Sequence, residues 1–189
     1  MASEVSICNQ AISWLGGHRI ISLDDGTSEA NFCKDNFPEL RDSLLEEYEW
    51  SFATYREKWP KAGTDPTFKF ANKFKIPDYA LRVLEVTTGD GSITTFNWQK
   101  EGQYIVTDEG SPEFRFIRQI KNVAHMSPGF RQALAARLAA DMALPLTSRR
   151  QVQTDMYNLF QAKLLEAVSS DSMQGKSKRI RSDWLKRAR

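Results

Sequence analysis

The sequence predicts an α+β protein: a four-helix bundle-like helical domain, a small antiparallel β module inserted between helices 2 and 3, and an extended C-terminal arm. Three observations carry that expectation. Apolar residues recur at spacings of three and four as far as Tyr48, the period drops to two from Phe68 onward, and helical spacing returns after Ser127-Pro128. The expected division is therefore 1–58 and 123–168 for the two parts of the bundle, 59–122 for the β module and 169–189 for the arm. With 41% hydrophobic and 26% charged residues and a net charge of +2, the 189-residue chain has the composition of an ordinary globular domain.

Helix 1 is expected from Ser3, a capping residue, through Val5, Cys8, Ala11, Ile12 and Leu15, with Gly16-Gly17 as a left-handed stop. Glu4, Asn9 and Gln10 exclude a signal-peptide or membrane segment there, so the chain is expected to be made and to stay in the cytoplasm before assembly. Cys8 and Cys33 fall at apolar helical positions and read as small buried hydrophobes rather than a disulfide. After the turn Asp24-Asp25-Gly26, Thr27 or Ser28 starts helix 2, whose stripe is Ala30, Cys33, Phe37, Leu40, Leu44 and Tyr48. Pro38 interrupts the backbone pattern but not the stripe, so the helix is expected to continue through it with a bend.

In the β module, Phe68, Phe70, Phe74 and Ile76 alternate with Lys69, Ala71, Lys73 and Lys75, the pattern of a half-buried strand. Further strands are expected at Leu81–Thr87, Ile93–Gln99, Tyr104–Thr107 and Phe114–Ile120. Gly89-Asp90-Gly91, Lys100-Glu101-Gly102 and Asp108-Glu109-Gly110 separate them, so most neighbours should pair as hairpins in one small sheet. Ser127-Pro128 opens helix 3 with the row Phe130, Leu134, Leu138, Met142, and Ala133, Ala136, Ala139, Ala140 and Ala143 permit close helix approach. Pro145 is expected to end it. Ser148 and Gln151 form an expected capping box for helix 4, which should run to about Val168, and Ser169–Ser177 reads as a flexible joint.

Chemistry is sparse. His18 and His125 are the only histidines, without partners at metal-ligand spacing, and the dinucleotide, P-loop, CxxC and HExxH motifs are absent. Glu46, Glu47 and Glu49 read as the solvated side of helix 2, and Asp24 and Asp25 as turn formers. No catalytic residue, metal ligand or cofactor is assigned. Lys69, Lys73 and Lys75 read as guards of an edge strand in preference to a DNA-lining face.

The strongest charge feature is the C-terminus. Its last 14 residues hold seven basic side chains against Asp183, a net of +6, while the other 175 hold 19 basic and 23 acidic, a net of −4. An acidic body with a basic arm admits a solvated tail, a nucleic-acid contact or a docking peptide. Trp184 and Leu185, an apolar anchor among the charges, favour docking. The candidate binding residues are Lys176, Lys178, Arg179, Arg181, Trp184, Leu185, Lys186, Arg187 and Arg189.

Ile7-Cys8-Asn9-Gln10-Ala11-Ile12 with Leu15-Gly16, followed by Ile21-Ser22-Leu23-Asp24-Asp25, resembles the N-terminus of phage head-to-tail adaptors, the tail tubular protein A group of short-tailed phages. The likeness continues at Ala30, Cys33, Arg41-Asp42, Leu44-Leu45 and Trp50-Ser51-Phe52-Ala53, at Ile76-Pro77-Asp78 with Leu81-Arg82-Val83, and at Ser127-Pro128 with Phe130, Ala133 and Leu138-Ala139. The resemblance implies a non-enzymatic virion protein at the head-tail junction, without cofactor. Its implied partners are a portal protein, a tail nozzle or tail tube protein and, in a ring of about twelve copies, its own neighbours, with sequence-independent contact to passing viral DNA and none to membrane. A DNA-binding accessory protein acting through the arm, or a head-completion protein of a long-tailed phage, are the alternatives.

Overall fold

The computed structural model describes residues 2–88 and 97–175. Its elements are α1 (Glu4–Trp14), α2 (Ser28–Glu47), β1 (Thr54–Glu57), β2 (Asn72–Lys75), β3 (Ala80–Thr88), β4 (Trp98–Glu101), β5 (Tyr104–Thr107), β6 (Pro112–Arg118), α3 (Pro128–Thr147) and α4 (Arg150–Ser172), an α+β fold.

Local chemistry sets most helix starts. Ser3 and Ser6 cap α1 reciprocally, each hydroxyl accepting from the other's backbone N–H at 2.9 and 3.1 Å. Gly16 adopts φ +73 just beyond α1, where a side chain would be strained. Thr27 Oγ1 accepts from Ala30 N–H at 3.2 Å to open α2, and Ser127 Oγ accepts from Phe130 N–H at 3.2 Å to open α3. α2 runs unbroken through Pro38, as the continuous stripe predicts. Its buried face differs from the expected stripe, since Arg41, only 5% exposed, and Leu45 are buried while Leu40 and Tyr48 are half-buried. The Arg41 Nε–H donates to Asp42 Oδ1 at 2.7 Å, and Gln119 Nε2 donates to the other oxygen at 2.6 Å. A buried guanidinium is tolerable only with such compensation.

Helix 3 departs from expectation at its end. Pro145 lies within α3, which continues to Thr147. Proline in a last turn removes one donor, and the turn closes anyway because Ser148 N–H donates to Leu144 O at 2.9 Å. Ser148 sits at φ 55 as the left-handed C-cap of α3, so it is not the cap of helix 4. α4 instead starts after Arg149 without a side-chain cap, and Gln151 donates to Asp155 at 2.9 Å. It also runs four residues beyond Val168. Ser169 to Ser172 are therefore helix rather than joint.

α3 is the centre of the helical domain, burying ten residues and packing on α1, α2 and most extensively α4. One core joins Ile7, Ile12, Phe37, Leu45, Trp50, Phe130 and Leu138 with Phe160 and Leu164 of α4. Cys8 and Cys33 are buried free thiols in this core, and their mutual hydrogen bond, with burial, pushes the Cys8 thiol up out of its ordinary range.

The β module holds two three-stranded antiparallel sheets rather than one. Sheet A has the order β1-β6-β3 and sheet B the order β2-β5-β4. Among the paired strands only β4 and β5 form a hairpin of sequence neighbours, turning at Gly102 with φ 58. β5 and β6, although consecutive, belong to different sheets. Pairing begins at Thr54, earlier than the expected boundary at 59, because β1 pairs with β6. Residues 93–96 of the expected strand Ile93–Gln99 and the turn Gly89-Asp90-Gly91 lie outside the described residues. The stretch at Phe68–Ile76 is strand only from Asn72 to Lys75, since Lys69 takes φ 73, a conformation no strand allows.

Sheet A is the middle layer. On β6, Ile117 joins the helical core, while Phe114 and Phe116 point the other way into a second core with Trp59, Phe74, Val86 and Ile105. Trp59 stacks on Phe114 with ring centroids 4.2 Å apart and 9° between planes. Alternation along β6 thus ties the helices to sheet A and sheet A to sheet B.

Candidate docking surfaces

Among the described residues reactive groups do not converge. His18 and His125 are exposed, and among the described residues there is no group of three or more His, Cys, Asp or Glu side chains able to hold a metal ion. Among those residues no helix is long and apolar enough to cross a membrane. Glu46, Glu47 and Glu49 are exposed, as expected for a solvated face, and Glu49 pairs with Arg115 at 2.9 Å. Asp25 acts as a turn former, its Oδ2 accepting from Ile21 and Ser22 N–H at 2.6 and 3.0 Å. Asp24 pairs with Lys34 at 2.7 Å, and that hydrogen bond holds its carboxyl below the usual range. Three surfaces are candidates for docking.

The nine arm residues assigned from the sequence, Lys176 to Arg189, lie outside the described residues. Where the chain enters the arm is well defined. Asp171, on the last turn of α4 and 9% exposed, accepts from Ser51 N–H at 2.8 Å and from Ser51 Oγ at 2.7 Å. Gly129, near the start of α3, meets Ala167 of α4 so closely that a Cβ would lie 3.1 Å from the Ala167 Cα. A small residue there lets the two helices touch backbone to side chain. Beside them Trp50 packs edge-on to Phe130 with centroids 5.1 Å apart, its indole N–H donating to Leu44 O at 2.9 Å. The root of the arm is thus fixed to the core of the helical domain. Asp171→Ala should cost about 1.5–3 kcal/mol, the range for hydrogen bonds to a charged group, measured by urea unfolding. A change below about 0.5 kcal/mol would mean that Ser51 and Asp171 do not hold the root.

Sequence reasoning missed this anchor. Asp171 fell in a segment read as a polar joint, and its partner is 120 residues away. Also unanticipated are the exposed apolar positions on α4 and at its C-cap: Tyr157 is 46%, Leu165 68% and, just past the helix, Met173 76% exposed.

A third surface is the outer face of sheet B. The register places Lys73 beside Val106 and Gln99, and Lys75 beside Tyr104 and Glu101, all opposite to the buried Phe74 and Ile105. Lys73 Nζ lies 4.0 Å from the Tyr104 ring centroid. β2 is an edge strand, as the guard reading of its lysines requires. That edge is already covered in part, because Lys61 bridges to Phe74 and Ala62 N–H donates to Lys73 O at 2.7 Å.

The chain matches no protein-family model and no curated protein sequence.

Proposed function

We propose that this protein is a non-catalytic structural subunit of a phage virion, an adaptor at the head-tail junction. About twelve copies form a ring that docks beneath a portal and continues its DNA channel to a tail nozzle or tail tube protein. The observation that supports this reading is where the resemblance falls in the fold. Ile7, Cys8, Ala11, Ile12, Ala30, Cys33, Leu44, Leu45, Trp50, Ala53, Phe130, Ala133, Leu138 and Ala139 carry the likeness, and all are members of the single helical core. Much of the likeness therefore lies in residues that specify architecture, while Gly16, Ile21, Asp24 and Asp25, which also carry it, are exposed and Ile76 belongs to the second core. The insertion of the β module between α2 and α3 agrees with what the resemblance implies.

Electron microscopy of the protein mixed with portal-bearing heads tests the proposal. A ring of about twelve copies seated under the portal is the expected image. A chain that stays monomeric in the presence of portal, with no added density beneath it, would overturn the adaptor reading. The second reading, a DNA-binding accessory protein, draws on the +6 charge of the last 14 residues. It requires duplex binding that weakens steeply with salt and vanishes when 176–189 are removed.

A further inference from the structure

We propose that the outer face of sheet B, with the hook at Phe68-Lys69 beside it, binds single-stranded nucleic acid without regard to sequence. The proposal does not depend on the adaptor reading.

The hook is built against the backbone's own preference. Lys69 takes φ 73, which costs a non-glycine residue on the order of 1 kcal/mol or more. This conformation sends two neighbouring rings to opposite fates: Phe68 is 81% exposed and Phe70 8%. The hook is held in place, since Phe70 N–H donates to Phe68 O at 2.9 Å and Ala71 N–H to Asp108 Oδ1 at 3.1 Å. Lys69 reaches across the sheet to Gln99 Oε1 at 3.1 Å, bringing its ammonium onto the face that carries Lys73 and Lys75. An exposed ring thus adjoins Lys69 along the chain, and Lys69 in turn reaches the face of Lys73 and Lys75.

None of the three lysines has a carboxylate within ion-pairing distance among the described residues, whereas Lys58 and Lys61 do, with Glu113 and Asp65. Glu101, at the far side of the Lys75–Tyr104 row, and Asp108, engaged at the hook's base, are the nearby acids. The described residues as a whole are acidic, so this face runs against its surroundings. Guarding the edge does not explain it: Lys75 is exposed and Lys73 half-buried on the outer face, beside the buried Val106, and the segment at Lys61-Ala62 already occupies part of the edge.

Charge alone would suit any polyphosphate. Side chains two apart on one strand are about 7 Å apart, a spacing that allows adjacent phosphates of one strand to be contacted. Phe68 makes the choice among partners, because an aromatic face in solvent can stack on an unpaired base and finds no such surface on duplex DNA. The combination of lysines that follow a backbone and a ring that takes a base is the chemistry of sequence-tolerant single-strand binding.

The test uses the full chain and an oligothymidylate of about 15 nucleotides carrying 5-iodouracil, a length within the usual site sizes. Because the basic arm can bind the same probe, the readout is the position of the photocrosslink. Crosslinking is expected in the tryptic peptide 62–69, to disappear in Phe68→Ala, and to compete poorly with duplex of equal length. Replacing Lys69, Lys73 and Lys75 together by Gln, which lengthens the tryptic fragment to 62–82, should reduce the crosslink in that fragment about tenfold and lower the salt slope of binding by about 2, the release expected for three single-strand phosphates. Unchanged circular dichroism controls for folding of both variants. Crosslinks confined to 176–189, equal competition by duplex, or binding of phosphatidylserine vesicles in place of the oligonucleotide would each overturn the proposal.

Discussion

Deleting residues 176–189 is expected to leave a soluble, folded protein that no longer joins portal-bearing heads. Both apolar cores close among residues 7–167, so circular dichroism of the truncated chain should match the parent. Docking should fail for reasons of chemistry and of multiplicity. Arginine makes bidentate contacts with carboxylates, and tryptophan is a frequent hot spot, so Arg179, Arg181, Arg187 and Trp184 can supply a large share of one subunit's grip. In a ring each bound arm raises the effective concentration of the next, and avidity can exceed a single affinity by a factor of about 100 or more. Trp184→Ala should reproduce much of the loss. Co-sedimentation with heads measures both. Normal docking by the truncated protein would assign the arm to solvent and the portal contact to the helical domain.

Replacing Trp50 by alanine is expected to be the most damaging single change to stability, about 3–5 kcal/mol by analogy with other large-to-small core substitutions. Trp50 is 1% exposed and stands where the helical domain meets sheet A. Its ring contacts Tyr48, Phe52 and Phe130, at centroid distances of 5.7, 5.9 and 5.1 Å. Removing it opens a cavity at the end of α2, takes away the donor to Leu44 O and loosens the turn Ser51–Ala53 that carries Ser51 to Asp171. A domain of this size has only about 5–15 kcal/mol of stability, so the variant should unfold at much lower urea or express poorly. Trp50→Phe keeps the ring packing and should recover more than half of the loss. A Trp50→Ala protein within about 1 kcal/mol of the parent would show that the core collapses around the gap.

The features legible from the chain are those whose causes are local. Ser3, Thr27 and Ser127 cap helices because a hydroxyl one position before a helix reaches an N–H three residues on. Helix 2 could be followed through Pro38 because its apolar stripe does not depend on the one missing donor. The strand at Tyr104–Thr107 falls where the sequence places it, between the turn signals at Gly102 and Asp108-Glu109-Gly110. Helix 3 was misjudged at its end because a proline's effect depends on whether a later residue, here Ser148, can take a left-handed conformation and close the last turn.

The candidate binding surfaces divide in the same way. The basic arm is visible as composition and needs no fold to be noticed. The Lys69, Lys73, Lys75 face needed one, since only the hook at Lys69 turns a broken alternation into a cationic surface with an exposed ring. Asp171 was invisible as an anchor because nothing near it in sequence names Ser51.

By itself the sequence determined the α+β class, the number and order of the helices, most of their starts, the place of the β module and the opposite charges of body and arm. Tertiary structure alone decided that the strands split between two sheets, that β1 joins β6 across the module, that Arg41 is buried and that α4 is clamped to Ser51. The reason is range. Capping and periodicity act over three or four residues and are written in neighbours, whereas a strand's partner and a buried charge's ligand are chosen by packing among residues that the chain brings together only once it has folded.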